Sequence, residues 1–228
     1  MVMVAGIEVR PMRIGDAEAC EALDRGCFPT VDPSTIYTAK QFRHHLGLFS
    51  EGQWVADDVR TGLQIGFTST LRINIDFASP HLVNVYQDTD HGWFNTHIPG
   101  GAHLYGADMC ISTAYRGLGI AREFYDRRKS LCRALGLAGQ VVCGLIPGYS
   151  RHRREMTAYE YVNKVIAGEL HDLTLTTQLR NGFVARGLLP EYVHDDVTGG
   201  WAVLLEWRNP DRYTGAPQDA PHAPSDER

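Results

Sequence analysis

Between a strand-like run at 104–112 and a helix-like run carrying Ile120, Phe124, Leu131 and Leu135 on one stripe stand Arg116-Gly117-Leu118-Gly119-Ile120-Ala121. Glycines there let the backbone turn tightly and present successive N–H groups. The first turn of the following helix adds unpaired donors and the positive end of its dipole. Together they suit an anion of the size of a pyrophosphate. A P-loop is excluded, because GxxxxGK[ST] is absent. A dinucleotide fingerprint fits poorly. Arg122 stands where its third small residue should be, and the next strand-like run, 140–146, has no acidic end. A purely structural strand–turn–helix junction is the other reading of this hexamer taken by itself.

Other reactive side chains are more scattered. Five cysteines at 20, 27, 110, 132 and 143 form an odd set with no CxxC pair, and read as reduced, buried thiols without an adjacent base. His81, His91, His97 and His103 lie in or beside one long segment at spacings that match no common zinc pattern, so no metal is expected. Arg151-His152-Arg153-Arg154 is the one basic run; it reads as a solvated loop or as a contact for phosphate.

The elements that must position these groups follow from periodicity. Ile7, Val9 and Met12 suggest a first strand. Asp16 is placed to cap a helix bearing Cys20, Leu23 and Cys27, which Phe28-Pro29 ends. Thr38-x-x-Gln41 is a capping box that opens a second helix with Phe42, Leu46 and Phe49 on one face. Runs 54–59 and 63–73, joined by Arg60-Thr61-Gly62, read as a hairpin. The segment 74–101 is long for a connection, and its aromatics Phe77, Tyr86, Trp93 and Phe94 predict an ordered lid over an acceptor pocket. Run 140–146 is continuously apolar and suits a buried strand. A second capping box, Thr157-x-x-Glu160, opens a helix through Val162, Val165 and Ile166. Asp172 then starts a short helix with Leu175 and Leu179 that Gly182 stops, and 184–189 and 201–207 are the last strands. One domain over 1–208, including the insert at 74–101, and a disordered tail over 209–228 are the expected organisation.

Composition sets outer limits. The chain has 228 residues, 43% apolar and 21% charged, enough to bury a core without disulfides or metal. Its 22 basic and 27 acidic residues give a net charge of −5, which argues against nonspecific nucleic-acid binding. No run approaches the roughly 20 apolar residues of a membrane span, and Glu8 and Arg10 come too early for a signal peptide. A cytoplasmic protein with neither nucleic-acid nor membrane partners is the expectation.

The run 108–121, DMCISTAYRGLGIA, resembles the signature of the GCN5-related N-acetyltransferases, Arg/Gln-x-x-Gly-x-Gly/Ala after a strand, with Arg116, Gly119 and Ala121 in place. The order of elements is similar too. Tyr105-Gly106, Ile146-Pro147-Gly148-Tyr149, Gln178-Leu179-Arg180-Asn181-Gly182-Phe183 and Leu204-Leu205-Glu206-Trp207 resemble one subgroup in particular. It is the acetyltransferase domain that some bacterial proteins carry ahead of a carbon–nitrogen hydrolase (nitrilase-like) domain. The similarity spans roughly 7–209; where that subgroup carries its hydrolase, only the tail is expected here.

The resemblance implies an α/β (mixed α+β) acyltransferase fold, with a central, mostly antiparallel sheet flanked by helices. It implies acetyl-CoA as co-substrate, lying where the strands at 104–112 and 140–146 splay apart. Amides of Gly117, Leu118, Gly119, Ile120 and Ala121 would hold the pyrophosphate, with Arg116 at the mouth. Met109, Cys110 and Ile111 would pair with the pantetheine arm, the Ile111 amide polarising the thioester carbonyl. Acetyl would pass directly to the amine of a small-molecule or peptide acceptor, which needs a base. Asp108 is the first choice; a strand-end carboxylate bonded to backbone or arginine is its other reading, and Glu51 and Asp76 are weaker candidates. The chain departs from the family at Thr113, where proline is usual, and at Gln178, where many members carry the tyrosine that protonates the leaving thiolate. Gln178 can hydrogen-bond the cofactor but cannot act as an acid, so Tyr149 or water takes that role. A homodimer and a separately encoded hydrolase acting in trans are the partner expectations. A non-catalytic acyl-CoA-binding or regulatory module is the alternative function.

Overall fold

A computed structural model describes residues 6–195 and 199–212. Seven strands form one sheet: β1 (Ile7–Pro11), β2 (Trp54–Asp58), β3 (Leu63–Ile73), β4 (His103–Ile111), β5 (Gly139–Leu145), β6 (Val184–Leu189) and β7 (Ala202–Arg208). Their order is β1-β2-β3-β4-β5-β7-β6. Every neighbouring pair is antiparallel except β4 and β5. That parallel pair is joined by the 15-residue helix α4 (Ile120–Ala134), as a parallel crossover requires; the remaining helices, numbered in chain order, are α1 (Ala17–Cys27), α2 (Ala39–Phe49), α3 (Val85–Asp88), α5 (Ala158–Ile166) and α6 (Leu175–Arg180).

Alternation along the strands sorts two cores onto the two faces of the sheet. Tyr105, Val141 and Leu204 join Cys20 of α1 and Phe42 of α2 on one face, while Leu104, Val142, Val203 and Leu205 join Cys132 of α4 and Val162 of α5 on the other. Phe42 meets Phe67 edge-on at 5.0 Å between ring centroids, and both are fully buried. Each such side chain contributes about 1.5–3 kcal/mol by leaving water.

Both predicted capping boxes form. Gln41 N donates to Thr38 Oγ1 while Thr38 N donates to Gln41 Oε1, and Thr157 and Glu160 repeat the exchange. Asp16 does not cap α1. Its carboxylate is taken by Arg10 at 2.7 Å and by the Arg13 amide, an ion pair that outcompetes a cap. The insert at 74–101 folds onto α2, where the Phe94 ring stacks on His45 at 3.6 Å and Gly92 O bonds the His45 ring. At the far end Asn209 is fully buried and donates to Leu137 O, so order continues past the predicted start of the tail; its part beyond residue 212 lies outside the described residues.

Candidate active site

The parallel pairing of β4 and β5 ends early. It runs from His103↔Gly139 to Gly106↔Val142 and stops. Beyond that point β4 keeps its register with β3 through Ile111↔Gly66, and β5 keeps its register with β7 through Leu145↔Ala202. The facing edges, 107–111 and 143–145, are left without ladder bonds to each other. Two local features open them. The first is a bulge: Asp108 pairs with Ser69 but Gly106 with Thr70, so Ala107 is an extra residue and β4 bends there. The second is the space taken by two side chains. A Cβ on Gly106 would overlap the Arg128 guanidinium, and one on Gly144 would overlap the Gln178 amide.

The gap opens into a cavity of about 460 Å³. Its wall includes Asp108, Met109, Cys110, Ile111, Arg116, Gly117, Gly119, Ile120, Ala121 and Gln178, so ten of the twelve sequence-predicted site residues meet around one space. Leu118 points out, 47% exposed. Tyr149 is not part of the wall. It is buried against Tyr161, and its hydroxyl donates to Met156 O at 3.2 Å, because the turn after β5 carries it toward α5. Glu51 and Asp76 do not line the cavity either, and from the insert the wall receives Val85.

The turn has the backbone its glycines suggest: φ is +79° at Gly117 and +84° at Gly119, the left-handed region that glycine occupies without strain. Gly119 is the cap of α4 and no side chain caps it, in contrast to α2 and α5. Thr113 begins a short 3-10 turn, Thr113–Tyr115, that leads into it. Ser112 N donates to Ile65 O on β3, so by alternation the amide and carbonyl of Ile111 turn toward the gap. Ile111 O accepts from Cys27 Sγ at 3.4 Å and Arg116 Nε at 3.3 Å. The Met109 amide is already taken by Asp108 Oδ1 at 2.7 Å, which leaves only its carbonyl for a ligand.

Four further residues on the wall carry chemistry that sequence reading did not single out. The Ala107 bulge shifts the alternation, so that Asp108 and Cys110 share a face with Tyr105 and look toward α1. Asp24 of α1, 2% exposed, meets them there. It accepts the Tyr37 amide at 2.8 Å and the Cys110 thiol at 3.7 Å. Oxygens of Asp24 and Asp108 and the Cys110 sulfur all lie within 4.8 Å of one another. Burial pushes Asp24 up to about 7; burial and the charge of Asp24 push Asp108 well above the usual carboxylate range. Cys27 is drawn down to about 6 by its hydrogen bond with Cys110 and by Arg116. Arg128, 1% exposed, donates to Asp108 O at 2.7 Å and to Thr68 Oγ1, and burial lowers it to about 10. Tyr125, 5% exposed, has its hydroxyl against the Gln178 amide. Gln178 Oε1 and Arg128 Nε are buried without a hydrogen-bond partner.

A mixed sheet split beside a glycine turn at an uncapped helix start defines the N-acetyltransferase class of fold, and comparison with known proteins agrees. No family model matches the chain. "Uncharacterized N-acetyltransferase YkwB" of Bacillus subtilis (strain 168) is 30% identical over 195 residues, 85% of this chain and 85% of that one. "Probable hydrolase YhcX" of the same organism is 35% identical over 205 residues, 89% of this chain; the chain spans only 39% of that protein's length. Among solved structures, a GNAT-like decarboxylase, GphF, in complex with isobutyryl-CoA superposes with a TM-score of 0.74 at 20% identity, over 89% of this chain and 99% of that one. The chain belongs to the GCN5-related N-acetyltransferase family. No helix among the described residues is long and apolar enough to cross a membrane.

Proposed function

We propose that this protein transfers an acetyl group from acetyl-CoA to an amine. The observation that carries the reading is the gap between β4 and β5, opened by the Ala107 bulge directly beside the uncapped Gly117–Ala121 turn. The amides of Gly117, Gly119, Ile120 and Ala121 would receive the pyrophosphate, with Arg116 and Arg122 adding positive charge. The pantetheine arm would enter the gap as an added strand, bonding the free edges at 109–111 and 143–145. Gln178 Oε1, buried and without a partner, is a ready acceptor for one of its N–H groups.

The Ile111 amide would polarise the thioester carbonyl. Asp108, whose proton affinity is raised by burial and by Asp24, would take the proton from the acceptor ammonium. Tyr125 rather than Tyr149 would protonate the leaving thiolate. It lines the cavity, and Gln178 steadies its hydroxyl from the position where the family's usual tyrosine would stand. The test is release of free CoA thiol from acetyl-CoA in the presence of an amine panel, comparing the protein with Gly119→Asp. Amine-dependent release that the variant abolishes supports the reading; release that Gly119→Asp leaves intact overturns it.

A further inference from the structure

Charge is sorted across the cavity. The basic residues on its wall are Arg116, Arg122 and Arg128, and its acids are Asp24 and Asp108. All three arginines belong to the turn and to α4, and each already has work there. Arg116 bonds Ile111 O and faces the Cys27 sulfur, Arg122 pairs with Asp126 at 3.8 Å, and Arg128 is held by Asp108 O and Thr68. The half between α1, the following loop and β4 contains both carboxyls; among the described residues the cation on the wall that acts on Asp108 is Arg128, already held by Asp108 O and Thr68 Oγ1. Phe28, Val31, Ile36, Val85 and Val193 make most of this half's other walls apolar, and the Thr35 hydroxyl there is spent on Asp32 O at 2.6 Å. The tyrosine hydroxyls that complete it are engaged: Tyr105 and Tyr192 bond each other at 2.6 Å, Tyr192 donates on to Asp88, and Tyr37 is bonded with Thr89.

Resting on the acetyltransferase reading above, we infer that the acceptor is a lipophilic primary amine without a carboxylate, an arylalkyl- or branched alkylamine, whose ammonium enters between Asp24 and Asp108. A buried carboxyl pair is stabilised by the one positive charge such a molecule brings, and the apolar walls cover the rest of it. An amino acid would bury its own carboxylate against two acids, with only Arg128, already held by Asp108 O and Thr68, on that side of the wall. A polyamine would bury a second ammonium among apolar side chains. Both are rejected by an unpaired charge rather than by size.

The test uses the full-length protein. Calorimetry first gives the acetyl-CoA dissociation constant, and kcat/KM is then compared for 2-phenylethylamine, isoamylamine, L-phenylalanine and spermidine. The expected result is acetylation of the first two with kcat/KM about 100-fold or more above that of the last two. Asp24→Asn should raise KM for 2-phenylethylamine roughly 30-fold with the acetyl-CoA constant unchanged. Acetyl-CoA binding with turnover of L-phenylalanine or spermidine at equal or better efficiency, or with turnover of none of the four, overturns the acceptor class while leaving the cofactor assignment standing. Absence of acetyl-CoA binding overturns the acetyltransferase reading and the acceptor class with it.

Discussion

Asp24 and Asp108 are 84 residues apart in the chain, yet their carboxyl groups face one another across the seam between α1 and β4, with the Cys110 thiol beside them and the two carboxyl oxygens and the sulfur all within 4.8 Å of one another. Two acids this close and this buried cannot both ionise freely, which is why both hold their protons more tightly than a solvated carboxyl. Stability and catalysis should both report this pair.

Asp24 titrates near 7 in the fold, against about 3.9 for an exposed aspartate. A carboxyl raised in this way contributes stability that is complete below the unfolded value and is lost as pH rises through about 7. Asp24→Asn keeps an acceptor for the Tyr37 amide and removes the charge. The variant should therefore unfold at a higher temperature than the parent at pH 8, by about 2–4 °C for each kcal/mol relieved, and show a flatter pH dependence between 5 and 8. A melting curve series in which variant and parent stay parallel contradicts the paired burial.

Asp108→Asn should lower kcat by about 100-fold to 10,000-fold, the range for loss of a general base. The asparagine oxygen can still accept from the Met109 amide, so β4 keeps its shape and acetyl-CoA affinity should be unchanged. Steady-state kinetics beside calorimetry separates the two; full turnover in the variant removes Asp108 as the base.

Tyr125→Phe changes one hydroxyl in a well-packed ring that sits edge-on to Phe183 at 5.2 Å. We expect the fold and acetyl-CoA binding to be retained and kcat to fall roughly 10-fold to 100-fold, from lost protonation of the leaving thiolate. Tyr149→Phe should leave kcat alone, since that hydroxyl is occupied by Met156 O outside the cavity. The reverse ranking of the two variants would contradict the assignment.

Cys27 should be the reactive thiol of the chain. Its hydrogen bond with Cys110 and the nearby Arg116 draw it down to about 6, whereas burial holds Cys20, Cys132 and Cys143 at about 12. Limited iodoacetamide treatment followed by peptide mass spectrometry should find label on Cys27 first, and acetyl-CoA should slow it because Cys27 lines the same cavity. Prior labelling of another cysteine, or no protection, would count against the site as drawn.

Much of this architecture is legible in the amino-acid order because it is local. The hairpin 54–73, the two capping boxes and the strand–turn–helix around Gly119 are each written in one contiguous stretch of chain, and each forms. The site is legible only on its β4 side. Asp24 and Cys27 look like ordinary positions on an amphipathic helix until α1 packs against β4, and no local pattern announces that contact. The Ala107 bulge has no sequence mark either, yet it sets which face Asp108 and Cys110 occupy. Tyr125 and Arg128 are one helix turn apart on α4, and only their position behind Gly106 and beside Gln178 gives them a chemical setting. Tyr149 shows the opposite failure: a plausible neighbour of β5 in sequence that the chain's turn carries out of the cavity.

The most direct test of the gap between β4 and β5 as an acyl-CoA site is thermal unfolding with saturating acetyl-CoA, beside free CoA and NAD. A ligand present at 100 times its dissociation constant stabilises the fold by about 2.7 kcal/mol, which moves the midpoint by several degrees. The expected result is a shift with acetyl-CoA and with CoA, none with NAD, and loss of both shifts in Gly119→Asp. An unshifted midpoint with acetyl-CoA and CoA, or equal shifts in the variant, would contradict it.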